Sequence, residues 1–227
     1  MALTVPTHPL VAVLKLWRPR WFDGVALVIG SMAPDLAYAL DGSGWPVWKL
    51  SHGLRGFVLW CLPVTLLLTW LIRRAAPVVA SHLPQAGPLA LRDYGVLARG
   101  RYPLPVTCWS ALIGAVSHLL LDFAELQVPV LEPVLHVVGA FGLLALMLHV
   151  GRRRLLLRWH GEPPSLPAQP GRFWAVVVGV TLPLVLLVPL LPGAELMHTT
   201  GVRLLIALGV GMLAAARTVG VPTMRVG

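Results

Sequence analysis

The chain has 227 residues, a net charge of +9 and a pI near 11, yet only 12% of its residues are charged and 57% are hydrophobic. At a mean hydropathy of +0.78, with apolar residues in long runs, it holds more leucine and valine than a water-soluble core of this length can hide. The basic residues cluster between apolar runs rather than along one continuous face, which argues against a nucleic-acid partner and for a lipid bilayer.

In chain order, the apolar stretch 10–16 is too short to span and reads as a half-helix or an interfacial helix. Residues 24–40 form a weaker span, because they hold Asp35 and the helix-disturbing Pro34. Runs at 54–72 and 104–122 pass the spanning length easily, and 133–150 is slightly short but free of charge. Two further spans follow at 173–191 and 201–219. The predicted fold is all-α: a polytopic transmembrane helical bundle of about six spans plus a short N-terminal half-helix. Its parts are a membrane domain at 1–150, a proline-rich cytoplasmic linker at 151–172, and a nearly featureless two-helix hairpin at 173–227. Residues 76–103 and 160–172 read as soluble loops, so His82 and His160 are expected to be solvated.

Stretches 1–23, 73–103, 151–172 and 217–227 hold fifteen of the eighteen Lys and Arg residues. The alternate connections hold only Lys49, Arg55 and Arg203. Six spans with both termini cytoplasmic satisfy the positive-inside rule. Cys61 and Cys108 both fall inside apolar runs, with no paired spacing for a disulfide framework or a zinc knuckle.

Ionisable residues at membrane depth are costly and mark candidate sites. Asp35, His52, His118, Asp122 and His136 all fall toward the outer ends of their spans, with Glu125 and Glu132 in the adjoining loop. In Ser117-His118-Leu-Leu-Leu-Asp122 the spacing of four sets imidazole and carboxylate on one helix face, which suits two ligands on one metal or a structural pair. In Gly30-Ser31-Met32-Ala33-Pro34-Asp35 the small residues permit close helix approach, and the proline frees backbone carbonyls beside the acid. His198 lies on the same side but far along the chain.

Thr7-His8, Gly-Ser-Met-Ala-Pro-Asp35, Ser51-His52 and Gly114-Ala-Val-Ser-His118-Leu-Leu-Leu-Asp122, taken in order, resemble a bacterial membrane family filed as a domain of unknown function. That family is similar to the YdjM-type inner-membrane group, named as metal-dependent hydrolases. The order H…PD…H…HxxxD also looks like the zinc-dependent phospholipase C pattern. The resemblance covers roughly residues 1–150 and implies His8, Asp35, His52, His118 and Asp122 as metal ligands, zinc as the cofactor, and the bacterial inner membrane as the location. His136 resembles a later histidine of the membrane family. The hydroxyl residue that follows the family's second histidine is Gly53 here, and a histidine often found four residues beyond the HxxxD acid is Leu126.

Three functions follow as expectations. The first is a membrane-embedded hydrolase acting on a phosphoester or lipid-linked substrate at the outer face, with Glu125 as its acid/base residue. The second is a non-enzymatic assembly protein whose His/Asp cluster only ties helices together. The third, a carrier, wants polar groups through the whole membrane depth, and the cytoplasmic halves of these spans offer almost none.

Overall fold

The computed structural model describes residues 7–85 and 87–219, and among these it contains helices and loops but no strand. Helix α1 (His8–Trp17) begins as a 3-10 turn behind Thr7 and is too short to cross a membrane. Helix α2 (Gly24–Met32) starts at Asp23, whose carboxylate accepts the backbone N–H groups of Val25 and Ala26 at 3.2 and 3.4 Å and so caps the first turn. It stops at Pro34, which has no N–H to continue the ladder, and the chain tightens into a 3-10 segment, Asp35–Leu40. The expected span at 24–40 is therefore a broken helix.

A turn with left-handed glycines at 42 and 44 leads into the short α3 (Val47–Ser51). Five helices are long and apolar enough to span: α4 (Leu54–His82), α5 (Leu104–Gln127), α6 (Leu131–Arg152), α8 (Pro170–Leu190) and α9 (Met197–Val219). The short α7 (Leu155–His160) lies between α6 and the proline-rich linker. Of these, α4 runs ten residues and α5 five residues past the expected end. Large apolar side chains such as Leu54, Leu126, Phe141 and Leu190 are exposed along them, as a lipid-facing surface requires. Of the five, α5 is the most enclosed and α6 the least. The termini invoked by the charge argument, 1–6 and 220–227, lie outside the described residues.

Contact between α2 and α5 forms the centre of the bundle. A Cβ at Gly30 would stand 2.9 Å from Ala111 Cα, and one at Gly114 would stand 2.7 Å from the Ser31 nitrogen, so the two backbones meet where only glycine fits. Ala26, Leu27 and Ala111 are buried around this crossing.

Several loop residues are more enclosed than their sequence context suggests. His82 is buried: its Nδ1–H donates to Val78 O (2.7 Å), its Nε2 accepts from the Gln169 backbone (2.8 Å), and its ring stacks on Phe173. It is not solvated, because α4 continues to it and the linker folds back over it. His160 is half-buried beside Tyr102. The C-terminal hairpin is not featureless either. Arg203 is buried and donates to the carbonyls of Ala39, Asp41 and Pro192, while Thr199 Oγ1 donates to Asp41 Oδ2 at 2.9 Å. These bonds fasten α9 to the end of the Asp35–Leu40 segment.

The glycine crossing gives a direct test. Gly114→Ala should lower the thermal stability of the detergent-solubilised protein by about 1–3 kcal/mol through overpacking. Gly179→Ala, where an added Cβ meets nothing within 4 Å, should leave the melting temperature unchanged or slightly raised.

Candidate metal centre

The break after α2 is where the site is built. Three carbonyls at this break accept from side chains of three other elements. His118 Nδ1–H donates to Ser31 O (2.8 Å), Trp60 Nε1–H to Ala33 O (2.9 Å) and Ser51 Oγ–H to Pro34 O (2.9 Å). A carbonyl is acceptor-only, so the bond to Ser31 sets a proton of His118 on Nδ1 and turns Nε2 to the other side of the ring. His52, just after α3, is held in the same way: its Nδ1–H donates to Trp48 O at 3.0 Å, with Ser51 Oγ at the same distance.

Both Nε2 atoms face the same two carboxylates. His118 Nε2 lies 3.3 Å from Asp35 Oδ1 and 3.2 Å from Asp122 Oδ2. His52 Nε2 lies 3.7 Å from each of those oxygens. His8 stacks on the His118 ring with centroids 4.0 Å apart, and its Nε2 is 3.8 Å from Asp122 Oδ1. Two overlapping donor groups result, one of His8, His118 and Asp122 and the other of Asp35, His52 and His118, each with all its ligand atoms within 4.8 Å of one another. His118 is fully buried, whereas Asp122 keeps 31% of its side-chain surface. The cluster is closed on its imidazole side and open on its carboxylate side.

Five of the expected residues, His8, Asp35, His52, His118 and Asp122, therefore come together. His136 joins neither group. The face of α6 that meets α1 is made by Leu135, whose carbonyl accepts from Thr7 Oγ1 (2.6 Å), and by Gly139, where a Cβ would stand 2.8 Å from Thr7 Cα. His136 is one residue, about 100°, around from that face. Glu125 is buried on α5, three residues beyond Asp122, and is also in neither group. Since α5 continues for nine residues past His118, about 14 Å, the cluster lies inside the bundle rather than at its rim. Tyr38 stands between His52 and His198, at ring separations of 5.5 and 4.6 Å, and His198 is 3.5 Å from Asp41. His198 thus neighbours the cluster without joining either group.

A second buried polar network sits at the opposite, basic end of the bundle, where few polar groups were expected. Asp23 is fully buried and pairs with Arg73 at 2.5 Å, and it accepts from Thr107 Oγ1 at 2.9 Å. Lys15 is buried beside it, donating to the carbonyls of Pro19 and Phe22 and to the Tyr102 hydroxyl. Burial pushes the Tyr102 phenol up to about 12. Burial, with Lys15 and Arg73 nearby, holds His160 below the ordinary histidine range. A sequence reading misses this network because Lys15, Asp23 and Arg73 each sit at the edge of an apolar run and resemble ordinary loop charges. Asp23→Ala leaves Arg73 without its partner and should cost about 3 kcal/mol of thermal stability in detergent. Asp23→Asn, which keeps a capping oxygen, should lose clearly less.

Comparison with known proteins adds a family and little else. No curated protein and no solved structure matches this chain. The family profile described as a domain of unknown function (DUF4184) matches residues 1–124, a span that includes His8, Asp35, His52, His118 and Asp122 and stops short of Glu125 and His136. With more than half of its length matched, this helical, membrane-type chain belongs to that domain family of unknown function, DUF4184.

Proposed function

We propose that the protein is a membrane-embedded, metal-dependent hydrolase acting on a phosphoester or another lipid-linked bond. The observation that carries this reading is the aim of the ring nitrogens. His118 and His52 both spend Nδ1 on a carbonyl and turn Nε2 toward the carboxylates of Asp35 and Asp122. An Nε2 held against two carboxylates calls for a cation between them, either a second ring proton or a metal ion, and this proposal puts a metal ion there. Ligand bonds of about 2.0–2.2 Å at a tetrahedral zinc put neighbouring donor atoms roughly 3.3–3.6 Å apart, close to the 3.2–3.7 Å spacings of this cluster. The nitrogen and carboxylate donors suit zinc or a similar first-row divalent ion.

Bound there, such an ion would lower the pKa of a coordinated water and polarise a scissile phosphoryl group. The residues have distinct tasks in this proposal. Asp35, His52, His118 and Asp122 Oδ2 would hold the ion. Asp122 Oδ1, which faces His8, would be placed to accept a proton from a nearby water. Glu125, on the same helix face, takes the acid/base role behind it. The exposed side of Asp122 is the entry for a headgroup. By the positive-inside rule this end of the bundle faces outward, so a reporter fused after Arg101 should read cytoplasmic and one fused near Val128 extracytoplasmic.

A second reading, a purely structural tie, rests on the fact that the cluster joins α1, the Asp35–Leu40 segment, the end of α3 and α5. Metal analysis of the gently extracted wild type separates the two. The hydrolase reading expects about one divalent ion per chain, its loss in His118→Ala and Asp35→Ala, and a fall of at least about a hundredfold in phosphodiester cleavage by Asp122→Ala. A wild type that carries metal but cleaves no phosphoester leaves a metal centre without hydrolase activity. A metal-free wild type, with His118→Ala losing only about 0.6–2 kcal/mol, supports the tie.

A further inference from the structure

The basic end of the bundle carries a cavity of about 720 Å³ that the candidate metal centre does not use. Five arginines line it, Arg18 and Arg20 from the loop after α1, Arg99 and Arg101 from the segment before α5, and Arg158 from α7. No carboxylate lines it, and among the described residues none of the five pairs with an acid. Like charges gathered from three segments of the chain repel one another unless an anion sits among them. Guanidinium groups are suited to that role, since each can give two parallel hydrogen bonds to a phosphate. Trp17, Trp21 and Trp159 complete the wall, as side chains at the headgroup level of a membrane do.

The cavity does not end at its cationic mouth. Lys15, Tyr102, Trp159 and His160 also line a second cavity of about 420 Å³, which continues between α1, α2 and α6. Its wall is almost wholly apolar, with Val28, Ile29, Leu143, Leu146 and Met147 along it, and it reaches Pro9, next to His8. Lys15 stands at the junction of the two, with its ammonium held by two carbonyls and the Tyr102 hydroxyl, so it shapes the passage and adds charge without being a free donor. Both volumes fall in the range of about 300–1,000 Å³ typical of small-molecule sites.

We infer that this two-part cavity binds one anionic phospholipid, with the phosphodiester headgroup among the arginines and an acyl chain in the apolar slot. A free phosphate would leave the slot unfilled. A zwitterionic lipid would bring an ammonium group to a mouth with no carboxylate to receive it. The site is at the opposite end of α5 from the histidines, about 20 Å along the helix, and stands apart from the hydrolase reading.

The experiment is native mass spectrometry of the full chain in detergent, titrated with dioleoyl phosphatidylglycerol, with the matching phosphatidylcholine, and with inorganic phosphate. Wild type should retain one phosphatidylglycerol in clear preference to phosphatidylcholine, and phosphate at equal concentration should not displace it. The triple variant Arg18→Gln, Arg101→Gln, Arg158→Gln removes one or more charges from each segment at exposed positions and should bind phosphatidylglycerol about a hundredfold more weakly. Leu146→Trp, or Met147→Trp if the first does not fold, fills the slot with all arginines intact and should also abolish the retained lipid. Equal retention of the two lipids, displacement by inorganic phosphate, or unchanged binding in folded variants would overturn the inference.

Discussion

Inside hydrocarbon a backbone carbonyl has no water to turn to, and the break in α2 leaves several carbonyls without helical partners. The rest of the structure is arranged around their satisfaction. His118 from α5, Trp60 from α4 and Ser51 from α3 each donate to one of the carbonyls of Ser31, Ala33 and Pro34. The bond from His118 forms where α5 approaches α2 to backbone contact at Gly30 and Gly114. A larger residue at either position would push His118 away from Ser31. The same bond that completes the broken helix also decides which nitrogen of His118 is presented to Asp35 and Asp122. Helix packing and site chemistry are therefore one interaction seen from two sides.

The short segment Asp35–Leu40 gathers more than the ligands. Its first residue is one of the two central acids, and the carbonyls at its far end, Ala39 and Asp41, take the guanidinium of Arg203. Tyr38 packs between His52 and His198. The C-terminal hairpin is thus in direct contact with the segment that carries Asp35. Arg203 and Thr199, which lie beyond the matched family span, in this way bond to residues within it.

The bundle is polar at both ends, but the two ends differ in kind. At one, three histidine rings and two acids converge on a small volume open on its carboxylate side. At the other, Asp23, Arg73 and Thr107 form a buried knot that secures the start of α2, beside a ring of arginines that no acid balances. α1 touches both, with His8 at one pole and Lys15 at the other, which is why so short a helix is enclosed between α2 and α6 rather than lying on the surface.

Much of this was legible in the residues themselves. Long apolar runs and sparse charge determined an all-helical membrane chain, and the spacing of His118 and Asp122 put both on one face of a helix, since hydrophobic length and i,i+4 geometry are local properties. The Gly-Ser-Met-Ala-Pro-Asp stretch announced both the close approach and the freed carbonyls. Its neighbours were not legible. The bond from His118 to Ser31 joins residues 87 apart, that from Thr7 to Leu135 joins residues 128 apart, and that from Arg203 to Ala39 joins residues 164 apart. Whether His136 or His198 joined the cluster, whether His82 met water, and whether Lys15, Asp23 and Arg73 formed one buried network depended on which helix faces meet. No spacing along a single chain carries that information, so those questions were decided by the tertiary structure alone.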